Sequence, residues 1–102
     1  MAEESELQRK ILRDLESYDD VECFKIMKAN KNAIPDIFFT SCVTKGVLIE
    51  AKRLKGKARA NQEKKIYRLN KCGTLALICD SWDQWMEIKR KLGFTKLPLL
   101  SQ

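Results

Sequence analysis

The chain has 102 residues, of which 44% are hydrophobic and 33% charged, and its formal net charge is +6. This length allows one hydrophobic core but not two, so residues 1–102 are expected to form a single domain of the soluble globular class, which excludes a disordered chain. The positive charge predicts a polyanionic partner, of which nucleic acid is the commonest.

Several further classes are excluded by what the sequence lacks. The N-terminus has no basic start and apolar centre of a secretory signal, and no apolar run could span a bilayer, so a cytoplasmic protein without a membrane partner is expected. The four cysteines stand far apart, without a CxxC pair, and there is no histidine. Neither a zinc site nor a disulfide is therefore expected, and the apolar neighbours of the cysteines predict small buried side chains. Any catalysis must rest on carboxylates, lysine or a metal ion.

The first half of the chain predicts a helix followed by three strands. Apolar residues recur at helical spacing over residues 4–17, and alternation over residues 21–27 is typical of a strand. Two further strands, 37–42 and 47–52, are expected to form a hairpin across a short turn around residues 44–46.

The second half predicts a helix over residues 59–71, ended by Gly73, and then a buried strand over residues 74–79. Ser81, followed three residues later by glutamine, has capping-box spacing and opens a last helix that reaches about Leu92. The order helix, three strands, helix, strand, helix predicts an α/β fold of the α+β type, with one mixed sheet flanked by helices.

A carboxylate and an ammonium are predicted to share one face of the third strand. Glu50 and Lys52 are two residues apart, so their side chains point to the same side while Ala51 points to the other. Folding of the hairpin brings Asp36, which follows Pro35, close to them. Two carboxylates beside a lysine suit Mg²⁺ or Mn²⁺ and phosphodiester hydrolysis. The alternative is an exposed cross-strand charge pair, with Asp36 as a turn residue.

These residues resemble a known nuclease motif. Ile34-Pro35-Asp36, followed after thirteen residues by Glu50-Ala51-Lys52, is similar to the PD-(D/E)xK motif of the restriction-endonuclease-like nucleases. The segments Glu4-Ser5-Glu6-Leu7-Gln8 and EAKRLKGKARANQ at residues 50–62 extend the resemblance, over most of the chain, to the virus-type replication-repair nuclease (VRR-Nuc) domain. One departure is Ala33, which stands where that family commonly has glycine.

The resemblance implies both a metal site and a catalytic set. In the family, the motif aspartate and glutamate bind metal together with a backbone carbonyl, which here implies Asp36, Glu50 and the carbonyl of Ala51. The implied catalytic residues are Asp36, Glu50, Lys52 and Gln62. Gln62 matches a glutamine that the family carries on the helix after the motif lysine, and its stripe on that helix is expected to face inward.

An acidic residue on the first helix usually completes the site of this family. Glu4 lies on the apolar stripe of that helix whereas Glu6 projects almost oppositely, so Glu4 is the predicted third carboxylate ligand. Gln8 shares the stripe with Glu4, and its amide either serves the site or forms a local hydrogen bond.

Basic residues follow the motif and predict a nucleic-acid surface. Those expected to contact the phosphate backbone are Arg53, Lys55, Lys57 and Arg59. The alternative is a solvated basic loop. Trp82 and Trp85 could stack on bases, but their place on a capped amphipathic helix favours the core.

The sequence thus predicts a Mg²⁺-dependent, structure-specific DNA endonuclease. Small stand-alone members of the family suggest a homodimeric Holliday-junction resolvase, from a phage or mobile element, that acts on four-way junctions in the host cytoplasm. The apolar residues between 94 and 100 either supply part of a dimer interface or close the core. Two rival hypotheses remain: a flap- or restriction-type nuclease of the same fold, and a non-catalytic nucleic-acid-binding protein.

Overall fold

The computed structural model describes residues 6–51 and 56–93, which contain three helices and four strands. In chain order the elements are α1 (Glu6–Glu16), β1 (Val21–Lys25), β2 (Ile37–Ser41), β3 (Val47–Glu50), α2 (Gly56–Lys71), β4 (Leu75–Ile78) and α3 (Trp82–Leu92). This order and the mixed sheet confirm the α+β fold predicted from the sequence. None of the described helices combines the length and the apolar character needed to cross a membrane.

The strands of the described part form one sheet in the order β1-β2-β3-β4. The pairs β1–β2 and β2–β3 are antiparallel, and the predicted hairpin aligns Ile37 with Ile49 and Phe39 with Val47. The chain then crosses over through α2, so that β4 runs parallel to β3. Because the hairpin register is fixed, the residues just before β2 and at the end of β3 lie at the same end of the sheet.

The main core lies between one face of the sheet and helices α1 and α3. Alternate residues of β2 and β3 are fully buried there, against Ile11 and Leu15 of α1 and Trp85 of α3. The Trp85 ring meets Phe39 edge-on at 6.0 Å between centroids. Trp82 is partly buried against the same cluster. The core prediction for both tryptophans is therefore confirmed, and Trp85 cannot stack on a base.

Some boundaries and one burial prediction were wrong. Strand β1 ends at Lys25, not at residue 27, because only the Ile26 N–H continues the pairing, to the Asp36 carbonyl at 2.9 Å. Helix α2 begins at Gly56 rather than at residue 59, since the intervening lysine and alanine are good helix formers. All four cysteines are free thiols, but Cys42 and Cys72 are exposed, because they lie in a turn and beyond a helix end.

Helix α3 is fixed by the predicted cap and by a buried polar contact with α1. The Ser81 hydroxyl accepts a hydrogen bond from the Gln84 N–H at 3.1 Å. Asp14 and Tyr18 of α1 and Trp85 and Lys89 of α3 form what we call the α1–α3 clasp. Lys89 Nζ lies 2.7 Å from Asp14 Oδ2 and 2.9 Å from the Tyr18 hydroxyl, and Trp85 Nε1 donates to Asp14 Oδ2 at 2.8 Å.

The charge state of Lys89 follows from these partners. Burial by itself lowers the pKa of this ammonium group, but the hydrogen bonds with Asp14 and Tyr18 outweigh burial and raise the pKa above its ordinary value. Lys89 is therefore charged throughout the neutral range, and the clasp contains one positive and one negative group.

Candidate active site

Asp36 and Glu50 come together at one end of the sheet. Asp36 immediately precedes β2 and Glu50 is the last residue of β3. The register that pairs Ile37 with Ile49 therefore places both acids at the same end of the sheet. Asp36 is 8% exposed and Glu50 4%. The hairpin thus holds two buried carboxylates beside each other, rather than an exposed charge pair on the sheet surface.

The Asp36 carboxylate is oriented from two directions. Its Oδ1 accepts a hydrogen bond from the Ala51 N–H at 3.1 Å, and its Oδ2 accepts one from Gln8 Nε2. Gln8 is only 2% exposed, so this contact joins α1 to the carboxylate inside the protein. The sequence left a local role open for Gln8, but its amide reaches a residue 28 positions away.

The Glu50 carboxylate is oriented by the other flanking helix. Gln62 Nε2 of α2 donates to Glu50 Oε1 at 3.2 Å, and Gln62 is 3% exposed, so its inward orientation is as predicted. Strand alternation places Glu50 on the face opposite Ile49 and the main core. The Glu50 carbonyl accepts a hydrogen bond from the Cys79 N–H at 2.9 Å, which fixes this end of β3 to the end of β4.

The predicted third metal ligand, the predicted catalytic lysine and the predicted DNA-contacting residues are described only in part. Glu4, Lys52, Arg53 and Lys55 lie outside the described residues, and Lys57 is placed only as part of the first turn of α2. Arg59 forms ion pairs with Glu63 at 2.9 Å and with Asp80 at 3.4 Å. The hydrogen bond with Glu63 raises the pKa of Arg59, and Asp80 adds to the effect. Its guanidinium therefore joins α2 to the chain after β4, a role that the sequence did not indicate.

The site has the donor type that a small hard cation requires. Mg²⁺ and Mn²⁺ prefer carboxylate and carbonyl oxygens. A carboxylate offers about four acceptor positions, so one that accepts a hydrogen bond from an amide can also bind a cation. Within residues 6–51 and 56–93, no cluster of three or more Asp, Glu, His or Cys gathers around a potential metal position. The described part thus supplies two carboxylates, and the predicted third, Glu4, lies outside it.

The loop before Asp36 has a constrained backbone. Ala33 adopts φ +63°, the left-handed conformation, which glycine adopts at the lowest cost because it has no Cβ. The one departure from the family pattern noted in the sequence therefore falls at a position where a glycine would relieve strain. Pro35 then directs the buried chain into Asp36 and β2.

At this end of the sheet, the structure brings together Gln8, Asp36, Glu50, Ala51 and Gln62. Two acids lie between two helices, and side-chain amides limit their rotation, so the geometry can present carboxylate oxygens in fixed positions. Comparison of the chain with protein-family models, curated proteins and solved structures found no match.

Proposed function

We propose that the protein is a metal-dependent endonuclease of the VRR-Nuc type, which hydrolyses phosphodiester bonds in branched DNA. The observation that carries the proposal is the pair of buried carboxylates, Asp36 and Glu50, held at one end of the hairpin by Gln8 and Gln62. Lys52 follows Glu50 by two residues in the sequence. Carboxylates and a lysine in this order fit phosphodiester chemistry in a chain without histidine.

Each described residue of the site has a separate task in this proposal. Asp36 and Glu50 provide oxygen ligands for Mg²⁺ or Mn²⁺, with the Ala51 carbonyl as a further oxygen. When bound, the cation supplies positive charge that attracts a phosphate oxygen and acidifies water. Gln8 and Gln62 are positioning residues, because their amides fix the rotation of the two carboxylates. Such outer partners tune both ligand geometry and metal affinity.

Lys52 is assigned the catalytic ammonium. Strand β3 ends at Glu50 and Lys52 follows two residues later in the sequence. At this spacing the side chains of an extended chain share a face, so we assign Lys52 to the side of Glu50. There its ammonium would orient the attacking water or stabilise negative charge that develops on the phosphate oxygens. Neither task requires a histidine base.

The basic segment beside the site is assigned to the DNA backbone. Arg53, Lys55 and Lys57 lie in the sequence between Glu50 and the body of α2, so phosphates bound there would be close to the two carboxylates. Arg59 is expected to contribute less than these three, because Glu63 and Asp80 already bind its guanidinium. A four-way junction is the proposed substrate, cut by a homodimer whose two-fold axis matches that of the DNA.

A cleavage assay tests the proposal. Four-way junction, flap, nicked and linear DNA are incubated with the protein, with and without Mg²⁺. We expect cleavage of the junction only with Mg²⁺, loss of cleavage in Asp36→Asn and Glu50→Gln, and normal cleavage in Glu87→Gln, which changes an exposed acid of α3. A preference for flaps would favour the rival nuclease class. Binding without cleavage in Mg²⁺ or Mn²⁺ would contradict catalysis.

A further inference from the structure

The two edge strands of the sheet, β4 and β1, differ in whether their outer backbone groups are hydrogen-bonded. On β4, the Asn70 side chain donates to the Ala76 carbonyl at 2.9 Å and accepts from the Ala76 N–H at 3.0 Å. These are backbone groups that an added strand would need, so Asn70 blocks the pairing of another strand with β4. Strand β1 forms the opposite edge, and within residues 6–51 and 56–93 no strand lies beyond it.

The backbone of β1 alternates between its partner strand and the outer side. Ile26 donates its N–H to the Asp36 carbonyl, in line with the register that pairs Val21 with Ser41. The N–H and C=O groups of successive residues in an antiparallel strand point alternately toward and away from the partner strand. Phe24 therefore directs these backbone groups toward β2, whereas Val21 and Cys23 direct theirs outward. Edge groups of this kind are a template for another strand.

Apolar side chains are exposed on and next to the edge strand β1. Phe24 is 51% exposed and stacks on Phe38 with 5.0 Å between ring centroids, and Met27, just beyond β1, is 77% exposed. Helix α2 packs against β4, at the other side of the sheet. Strand β1 carries Glu22 and Lys25, and charge is common on edge strands, but Phe24 adds an exposed aromatic side chain between them.

The charges at the two ends of β1 are opposite. Asp19, Asp20 and Glu22 line an open cavity of about 480 Å³ at the start of the strand, which Lys45 also borders. Lys28 and Lys31 line an open cavity of about 250 Å³ at its end. A strand that pairs antiparallel with a copy of itself places the start of one strand against the end of the other. Self-pairing of β1 would therefore bring acid against base twice.

We propose that β1 pairs antiparallel with β1 of a second copy of this chain, about a two-fold axis at Cys23, and joins the two sheets into one. In this register Val21 lies opposite Lys25 of the partner subunit, and Asp20 lies near Lys28 of the partner subunit. The contact adds backbone hydrogen bonds across the axis and covers Phe24 and Met27. Isologous contacts of this kind close the assembly at two chains.

The pairing also determines where the two candidate sites lie. Asp36 is bonded to Ile26, next to the end of β1, so a two-fold axis at Cys23 places the two sites at opposite ends of the joined strands. Two separated sites related by a two-fold axis suit the paired strands of a four-way junction. This consequence for DNA rests on the proposed nuclease function, whereas the assembly itself does not.

Sedimentation of the full chain, without DNA or metal, tests the assembly. We expect a dimer for the wild type at micromolar concentrations. Phe24→Ser should raise the dimer dissociation constant about tenfold or more, because it removes buried apolar area at the axis. Met86→Ser is the matched control, since Met86 is an exposed apolar residue of α3 away from this edge, and it should leave the dimer intact.

Charge reversal adds a test that a folding defect cannot imitate. Asp20→Lys and Lys28→Asp should each shift the chain toward monomer by about tenfold or more, because each places like charges across the axis. The double variant should restore the dimer. Circular dichroism melts of each variant establish that it is folded. A wild type that is monomeric throughout, or a dimer that neither Phe24→Ser nor the single reversals weaken, would overturn the proposal.

The two proposals fail separately in this design. A wild-type dimer that follows the expected pattern but cuts no DNA would support the β1 pairing and count only against the nuclease. A strict monomer that cuts DNA with Mg²⁺ would overturn the β1 pairing and leave the nuclease assignment standing.

Discussion

Two buried polar clusters share helix α1 but differ in the signs of their charges. In the α1–α3 clasp, the Lys89 ammonium lies against the Asp14 carboxylate, so positive and negative groups meet. In the candidate site, Asp36 and Glu50 are both acids, and the side chains that donate to them at Gln8 and Gln62 are neutral amides. Both clusters orient their acids with hydrogen bonds, but in the clasp the donors include a charged ammonium, whereas Gln8 and Gln62 donate from uncharged amides.

The difference indicates a difference in role. Burial of a charged group is costly unless an opposite charge and hydrogen bonds compensate it. The clasp meets this requirement with its own side chains, which suits a structural contact between α1 and α3. In the candidate site two acids lie at the same end of the sheet, an arrangement in which a bound divalent cation would stabilise both negative charges. Since Gln8 and Asp14 lie on the same helix, the clasp also holds in place the helix that orients Asp36.

Lys52→Ala is expected to have the largest effect. If Lys52 stabilises charge in the transition state, its loss should lower kcat by about 10²-fold or more. DNA affinity should change little, because it is one of 20 basic residues. Single-turnover cleavage and fluorescence anisotropy measure the two quantities, with Lys71→Ala, an exposed lysine at the end of α2, as the control. Turnover near the wild-type rate would remove Lys52 from the site.

Lys89→Ala tests the clasp as a structural contact. Removal of the ammonium leaves Asp14 without its positive partner, so the free energy of unfolding should fall by about 3 kcal/mol. Lys91→Ala, an exposed neighbour on the same helix, should change it by less than about 0.5 kcal/mol. Urea denaturation measures both. Equal stability of the two variants would contradict the structural role.

The raised pKa of Lys89 makes part of this stability depend on pH. Because the pKa is raised in the folded protein above the ordinary 10.5, the contribution is complete below that value and is lost as pH rises through the higher folded pKa. The wild type should therefore lose its advantage over Lys89→Ala in strongly alkaline solution. An advantage that stays constant across that range would contradict the assigned ion pair.

The same substitution should have opposite signs in the two clusters. Asp14→Asn removes the negative partner of Lys89 and should destabilise the fold by about 2 kcal/mol. Asp36→Asn removes one of two like charges, and the Gln8 amide can rotate to accept from the new side chain, so stability should rise slightly or stay within about 1 kcal/mol. Thermal unfolding in a chelator compares them. Equal destabilisation would show that the clusters do not differ as described.

The smallest effect is expected at the loop before Asp36. Ala33→Gly should stabilise the fold by about 1 kcal/mol, because glycine adopts φ +63° without a Cβ clash. Ala29→Gly in the same loop is the control, since Ala29 is exposed and does not have positive φ, and it should bring no gain. Urea midpoints measure both, and an equal response at the two positions would remove the strain argument.

Local patterns predicted the fold better than the contacts of the site. Alternation gave the hairpin, and the spacing of Ser81 and Gln84 gave the start of α3, because both depend on neighbouring residues. The bond from Gln8 to Asp36 joins residues 28 positions apart, and the bond from Trp85 to Asp14 spans 71. No local periodicity encodes such contacts. Lys89 on an amphipathic helix likewise gave no sign that α1 would bury it.

Calorimetric titration with Mn²⁺ tests the central claim most directly, because it measures metal binding without substrate or turnover. We expect the wild type to bind Mn²⁺, and Asp36→Asn and Glu50→Gln each to lower the affinity about tenfold or more, since each removes a charged oxygen ligand. Glu87→Gln, at an exposed acid of α3, should match the wild type. Equal Mn²⁺ affinity in the wild type and in both site variants would contradict the assignment of Asp36 and Glu50 as the metal ligands.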